Sequence, residues 1–282
     1  MLGVAYFTLL ERNLLGMIQI RVGPQDKGFL GIFQPLLDAG KLIFKETVIP
    51  EGSFKIGFFL SASLSLLISL ILWLVYPSDV ATKFICYGLL FFFCVSSVNV
   101  YCVLGAGWSS NSVYAFLGSV RAAAQSISYE VSMFFILLFP SYQLLSYSWS
   151  YSLGNFPICF IFFPLFLVWV TTTLAETNRA PFDFAEGESE LVSGFNVEYS
   201  SVVFTLLFLS EYMNILFVSM ATAVWFFYSQ FILFFVFLIV LMSTVILVVR
   251  GSYPRLRFDK LMLLCWKSFL PISICTMMLM IF

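Results

Sequence analysis

Three glutamates stand where a long apolar run makes an ionised carboxylate expensive: Glu130 inside one run, Glu176 at the end of another, and Glu211 within a third. A carboxylate at such a depth is rare unless it is paired or carries protons, so each is a candidate for function. Glu130 lies nine residues beyond Arg121, about 13 Å along a helix. Arg121, Gln125, Ser128 and Ser132 share one stripe of that helix while Glu130 points to the opposite face, so the helix is polar on two sides and belongs inside a bundle. Two chemistries remain open at this point: a relay that passes protons between carboxylates of different depth, or neutral glutamates hydrogen-bonded between helices as structural glue.

A second acidic feature adds to the first. From Glu176 to Glu198 the chain carries Asp183, Glu186, Glu188 and Glu190 as well, six acids against the single Arg179 in twenty-three residues. Crowded carboxylates raise one another's pKa and titrate as a coupled set. A solvated acidic loop is the plain reading. The interleaved Pro181, Phe182, Phe184, Leu191, Val192 and Phe195 suggest docking as well.

Other chemistries are removed by composition. The chain has no histidine, which takes away the usual haem axial ligand, the commonest zinc ligand and the commonest general base. Its six cysteines, Cys86, Cys94, Cys102, Cys159, Cys265 and Cys275, form no C-x-x-C pair and read as buried, reduced thiols. No metal site is expected. Fourteen Lys plus Arg nearly cancel fifteen Asp plus Glu, so net charge supports no nucleic-acid partner.

The elements that must hold these carboxylates follow from hydrophobicity. Of 282 residues, 61% are hydrophobic and only 10% charged, which excludes a water-soluble globule, where about a quarter are charged. A bilayer core of about 30 Å needs about 20 apolar residues per helix. Eight runs meet or approach that length, at 1–20, 54–76, 84–104, 121–142, 157–176, 199–219, 229–249 and 258–281. Lipid forces helix in each of them, because backbone groups there must bond within their own segment. The expected fold is an all-α integral membrane protein with about eight transmembrane helices, residues 1–282 forming a single polytopic membrane domain.

Charge placement supports the count. Eight crossings put thirteen of the fourteen basic residues on one side and leave only Lys83 on the other, so the basic side faces the compartment of synthesis. A cleaved signal peptide is not expected, since neither a charged n-region nor a small-residue cleavage site precedes Arg12. Between the first two spans, Pro35 to Lys45 reads as a short amphipathic interfacial helix. Its apolar residues recur at helical spacing, and Asp38, Lys41 and Lys45 lie on the opposite stripe.

From the residues alone, a proton- or cation-coupled secondary transporter, a quinone-reductase membrane subunit and the related subunit of a membrane-bound hydrogenase all stay open. Repeated halves with matching broken helices, the mark of many transporters, are not found.

Several stretches carry a resemblance. Glu11-Arg12-Asn13-Leu14-Leu15-Gly16, Gln19-Ile20-Arg21-Val22-Gly23-Pro24, Gln34 to Leu42, Arg121 to Glu130, Leu174 to Ser200 and Tyr253 to Met262 resemble, in order, the subunit 1 family of NADH:ubiquinone oxidoreductase, respiratory complex I. The resemblance covers nearly the whole chain. It implies a membrane-arm subunit that forms the mouth of the ubiquinone chamber and couples quinone reduction to proton transfer. No catalytic residue or redox centre of its own is implied. Ubiquinone is the substrate of the complex, and NADH and iron–sulfur clusters sit in partner subunits. The implied partners are peripheral-arm quinone-module subunits, neighbouring membrane subunits and lipid, in the mitochondrial inner membrane with the basic and acidic loops facing the matrix.

Residue by residue, the family's quinone-binding positions fall on Glu11, Arg12 and Arg21. Its acidic path falls on Glu130, Glu176, Asp183, Glu186, Glu188, Glu190 and Glu211. Glu11 is the obvious carboxylate for the Arg12 or Arg21 guanidinium to pair with. Relatives carry roughly a dozen more residues before the Glu-Arg pair, and the chain stops soon after the eighth helix, as compact animal mitochondrial versions do.

Overall fold

A computed structural model describes residues 1–25, 28, 31–77, 85–149, 157–183, 194–227 and 231–281. It is 79% helical, and no strand occurs among the described residues. Eleven α-helices follow in order among the described residues. They are α1 (Leu2–Ile18), α2 (Gln34–Phe44), α3 (Lys55–Leu72), α4 (Gly88–Ser109), α5 (Val113–Leu144), α6 (Ile158–Ile161), α7 (Phe163–Glu176), α8 (Ser201–Thr222), α9 (Ile232–Ser252), α10 (Phe258–Leu264) and α11 (Leu270–Ile281). A turn of π-helix extends α8 through Ala223–Phe227, and another, Cys265–Phe269, joins α10 to α11.

Six of these stretches are long and apolar enough to cross a membrane: Lys55–Val75, Gly88–Ser109, Val113–Leu144, Ser201–Phe227, Ile232–Ser252 and Phe258–Met280. The first and fifth expected spans coincide with shorter helices. The 17 residues of α1 carry Glu11 and Arg12, and the 14 residues of α7 follow a break at Phe162, where Pro164 opens the new helix. Proline cannot donate the backbone hydrogen bond that would continue α6 into α7. The fourth span begins at Val113 rather than 121. Asn111 takes a left-handed φ of 52°, so only residues 110–112 separate α4 from α5.

α5 is the axis of the bundle, packed against α4, α7 and α11 and against the turn Gly194–Asn196. More than half of its apolar window, 56%, is buried within the chain, the largest share of the six. Two polar faces therefore meet protein rather than lipid. The close approach of α4 to α5 requires glycine at 107, since a Cβ there would stand 2.1 Å from Ser119 Oγ.

Small residues also bring α3 against α8. Ser61, Ser65 and Ser69 recur every four residues and are all buried, each hydroxyl bonding back to the carbonyl three residues earlier. A serine that satisfies itself in this way presents a small, nearly apolar surface, so two backbones approach closely without a hydrophobic driving force. Ser210 of α8 reaches Ser65 at 3.3 Å across that seam.

Aromatic packing closes one end of the bundle, where Trp149, Trp169, Trp225, Phe92 and Phe217 form one buried cluster. A second cluster joins Phe7, Tyr129, Phe182 and Leu261. A third surrounds Tyr199, whose ring stacks on Phe58 at 4.0 Å. All six cysteines are free. Cys102, Cys159 and Cys265 are buried, whereas Cys86, in the turn before α4, and Cys94 and Cys275, on outward helix faces, are exposed.

Candidate functional site

The acidic residues gather around an internal cavity of about 80 Å³ bounded by α3, α4, α8 and the end of α7. Glu176 and Glu211 line it, with Ser65, Ser96, Asn99, Asn178, Ser210 and Asn214 supplying most of the remaining polar wall. Glu130 of α5 is joined to that wall through Ser96, its Oε1 accepting from Ser96 Oγ at 3.0 Å. Two carboxylates, from α7 and α8, thus line the space, and a third, from α5, is linked to its wall. Room of this size holds several waters, and a water needs polar partners to stay. Glu176 Oε2, Asn178 Oδ1 and Asn214 Oδ1 are buried acceptors with no protein donor, so the wall offers such partners.

Next to the cavity the charges are arranged in a string. Arg179 lies 3.8 Å from Glu211, and its guanidinium sits over the Tyr212 ring at 4.6 Å from the centroid. The Tyr212 hydroxyl donates to Glu11 Oε2 at 2.7 Å. Glu11, only 5% exposed, is also paired with Arg250 of α9. Burial of a carboxylate at that level requires such a partner. The expected pairing of Glu11 with Arg12 or Arg21 is replaced, because successive residues on a helix point about 100° apart and Glu11 faces inward.

Arg12 faces outward instead and pairs with Asp38 of α2, while Arg21 is exposed with its Nε donating to Gln19 Oε1 at 2.8 Å. Of the three expected quinone-binding residues, Glu11 belongs to the interior string and the two arginines to the rim. α2 itself forms as the proline and the spacing predict, with Leu36, Leu37, Ile43 and Phe44 exposed.

Asp183, at the start of the acidic loop, pairs with Arg255 at 3.3 Å. Glu186, Glu188 and Glu190 lie outside the described residues. Both flanks of that loop are tied to helices. Gln125 of α5 donates to the Ala175 and Phe182 carbonyls at 2.7 and 2.9 Å, and Leu256 N donates to Pro181 O at 3.0 Å. On the far flank, Gly118 of α5 packs so closely on Gly194 and Phe195 that a Cβ would stand 3.1 Å from their backbone. Tyr199, buried between α3 and α4, donates to Ala106 O at 3.0 Å. Burial pushes the Tyr199 phenol above its ordinary range, so it remains a neutral hydrogen-bonding group.

Sequence reasoning overlooked three of these residues. Gln125 stood only as one member of a polar stripe, and neither Tyr212 nor Arg250 carried any signal of a partner more than two hundred residues away.

The sequence pattern of the NADH dehydrogenase family matches residues 1–281. The chain belongs to the NADH dehydrogenase family. Among its relatives, NADH-ubiquinone oxidoreductase chain 1 of Anopheles gambiae is 52% identical over 278 residues, covering 97% of this chain and 88% of the relative. The protein of the same name from Locusta migratoria is 48% identical over 278 residues, with 97% and 88% covered. That of Mytilus edulis is 45% identical over 291 residues, with 99% and 94% covered. Membership of the NADH dehydrogenase family favours the oxidoreductase over the transporter among the readings left open by the residues. As a family member with six spans of membrane length, the chain is a multi-pass membrane protein.

Proposed function

We propose that this chain is a membrane subunit of an NADH-ubiquinone oxidoreductase, forming the mouth of a ubiquinone chamber and passing protons between that chamber and the membrane interior. The observation that carries the reading is one cavity lined by Glu176 and Glu211, linked through Ser96 to Glu130 and through Arg179 and Tyr212 to Glu11. Without histidine, the proton-exchanging groups gathered at this cavity are its carboxylates.

In this reading Arg12 and Arg21 orient the quinone headgroup from the rim while its isoprenoid tail stays in lipid. Asp183, Glu186, Glu188 and Glu190 respond to quinone reduction, which consumes two protons, by changing protonation or position. The chain binds no redox cofactor itself. NADH and the iron–sulfur clusters are held by peripheral-arm subunits that dock on the acidic loop, and other membrane subunits and lipid cover the remaining helix faces. The setting is the mitochondrial inner membrane, with the basic and acidic loops on the matrix side.

Two measurements on the intact complex test this. Photo-crosslinking with a quinone analogue, followed by peptide mapping, is expected to label the amino-terminal segment and the acidic loop together. Glu130→Gln, Glu176→Gln and Glu211→Gln are expected to lower proton pumping with assembly intact. Normal pumping in all three variants overturns the proton-path assignment.

A further inference from the structure

We infer that Gln125 is a positioning residue whose amide clasps the two ends of the turn between Glu176 and Asp183, fixing where the acidic loop leaves the membrane and how Glu176 faces the cavity. The inference deepens the proposed function and rests on it.

Gln125 has 0% exposure, and its single nitrogen donates to two carbonyls, that of Ala175 at 2.7 Å and that of Phe182 at 2.9 Å. Those carbonyls belong to the residue before Glu176 and the residue before Asp183. The amide therefore spans the turn as a brace, from a helix that the turn itself does not belong to. Its orientation is fixed. With the amide rotated by half a turn, Oε1 would confront two carbonyl oxygens; the Phe182 carbonyl would lose the donation from Gln125, and the Ala175 carbonyl would keep only the longer bond from Asn178 N at 3.3 Å. Oε1 itself has no protein partner, so the residue gains nothing on that side and its position is set by the two donated bonds.

No other residue type reproduces the clasp. Asparagine is one methylene shorter, leucine donates nothing, and a glutamic acid donates a single bond only while it is protonated. The charged and titratable groups around the clasp are Glu176, Arg179 and Asp183 on the braced segment, Arg121 and Tyr129 one turn to either side on α5, and Arg255, which pairs with Asp183. Arg179 and Asp183 are thereby held at opposite ends of a short braced turn. A shift of that turn would move the guanidinium that lies beside Glu211.

The test compares Gln125→Leu and Gln125→Glu in membranes containing the assembled complex. The readouts are ubiquinone-dependent NADH oxidation across pH, NADH oxidation with a water-soluble acceptor that bypasses quinone, and the amount of assembled complex. Expected for Gln125→Leu is an assembled complex with a quinone-dependent turnover number about tenfold lower, as for loss of buried hydrogen bonds, with the bypass activity unchanged. Expected for Gln125→Glu is turnover near the parent value at acid pH, where the carboxyl donates, and a fall toward the Leu variant at alkaline pH, where a carboxylate faces two carbonyl oxygens. Parent turnover and pH profile in both variants overturn the clasp, as does loss of assembly in both, which assigns Gln125 to folding alone. If Gln125→Leu alone fails to assemble, the pH profile of Gln125→Glu decides. Absence of quinone-dependent oxidation in the unsubstituted complex would instead count against the proposed function.

Discussion

The rim around α1 and α2 and the cavity under α5 both hold carboxylates, yet their charges are settled differently. Along α1 each acid has its own cation: Asp38 pairs with Arg12 at the rim, and Glu11, at the end of the interior string, pairs with Arg250. Around the cavity Glu130, Glu176 and Glu211 stand with Arg179 as the neighbouring cation named on the cavity's edge, and Ser96 is the hydrogen-bond partner of Glu130. Paired charges are fixed, since separating them costs more than either contributes alone. A group of carboxylates that shares hydroxyls, amides and space for water keeps the freedom to exchange protons. The lesson is that one bundle separates acids settled by ion pairs from acids that share hydroxyls, amides and a cavity.

Substitutions can break that division, and the greatest loss is expected in the interior. Glu176→Gln keeps the shape and removes the exchangeable proton, so quinone-dependent turnover coupled to proton uptake should drop by about a hundredfold, the lower bound for loss of an acid–base group. Proteoliposome pumping measures it, and an undiminished rate would make the cavity scaffolding. Arg250→Met should be next. It leaves Glu11 buried beside Tyr212 without its cation, at a cost of about 3 kcal/mol, visible as loss of the subunit from assembled complex. Adding Glu11→Gln should recover most of it, and a double-mutant cycle without that recovery would refute the pairing.

Smaller still is Tyr212→Phe, which removes the hydroxyl from Glu11 but keeps the ring under Arg179. About 1.5 kcal/mol is expected in the thermal stability of the complex, the value of a hydrogen bond to a charged group. No change in Tyr212→Phe beside a loss in Tyr212→Leu would show that the ring matters and the hydroxyl does not. Least of all is Arg12→Met. Its pair with Asp38 has side-chain exposures of 51% and 28%, so stability should move by less than about 1 kcal/mol, and less again at high salt. Any larger effect on quinone affinity then belongs to binding.

Helix placement was legible because lipid leaves an apolar run no alternative structure, and α9, continuously apolar from Ile232, needed no other argument. The start of α5 was not. Trp108-Ser109-Ser110-Asn111-Ser112 holds neither glycine nor proline, and the turn depends on Asn111 adopting a left-handed conformation that its sequence only permits. In the candidate site, residue type announced the buried acids but not their partners. Glu11 selects Arg250 across 239 positions because α1 packs on α9, a fact of tertiary packing with no local pattern. Gln125 was visible as polar and inward, while its two acceptors became apparent only when α7 and the residue before Asp183 were placed beside it.

The three-residue turn between α4 and α5 also governs how the chain is built. Ser110, Asn111 and Ser112 carry no charge and give no slack, so neither helix can settle across a bilayer while the other waits outside. The two must leave the insertion machinery as a preformed pair, already interlocked where Gly107 meets Ser119. With an uncharged tip, the basic residues nearest the pair in sequence are Lys83 before it and Arg121 nine residues into its second arm. Biogenesis of this protein therefore has a step whose unit is a hairpin, and the polar face bearing Glu130 enters lipid already covered by α4.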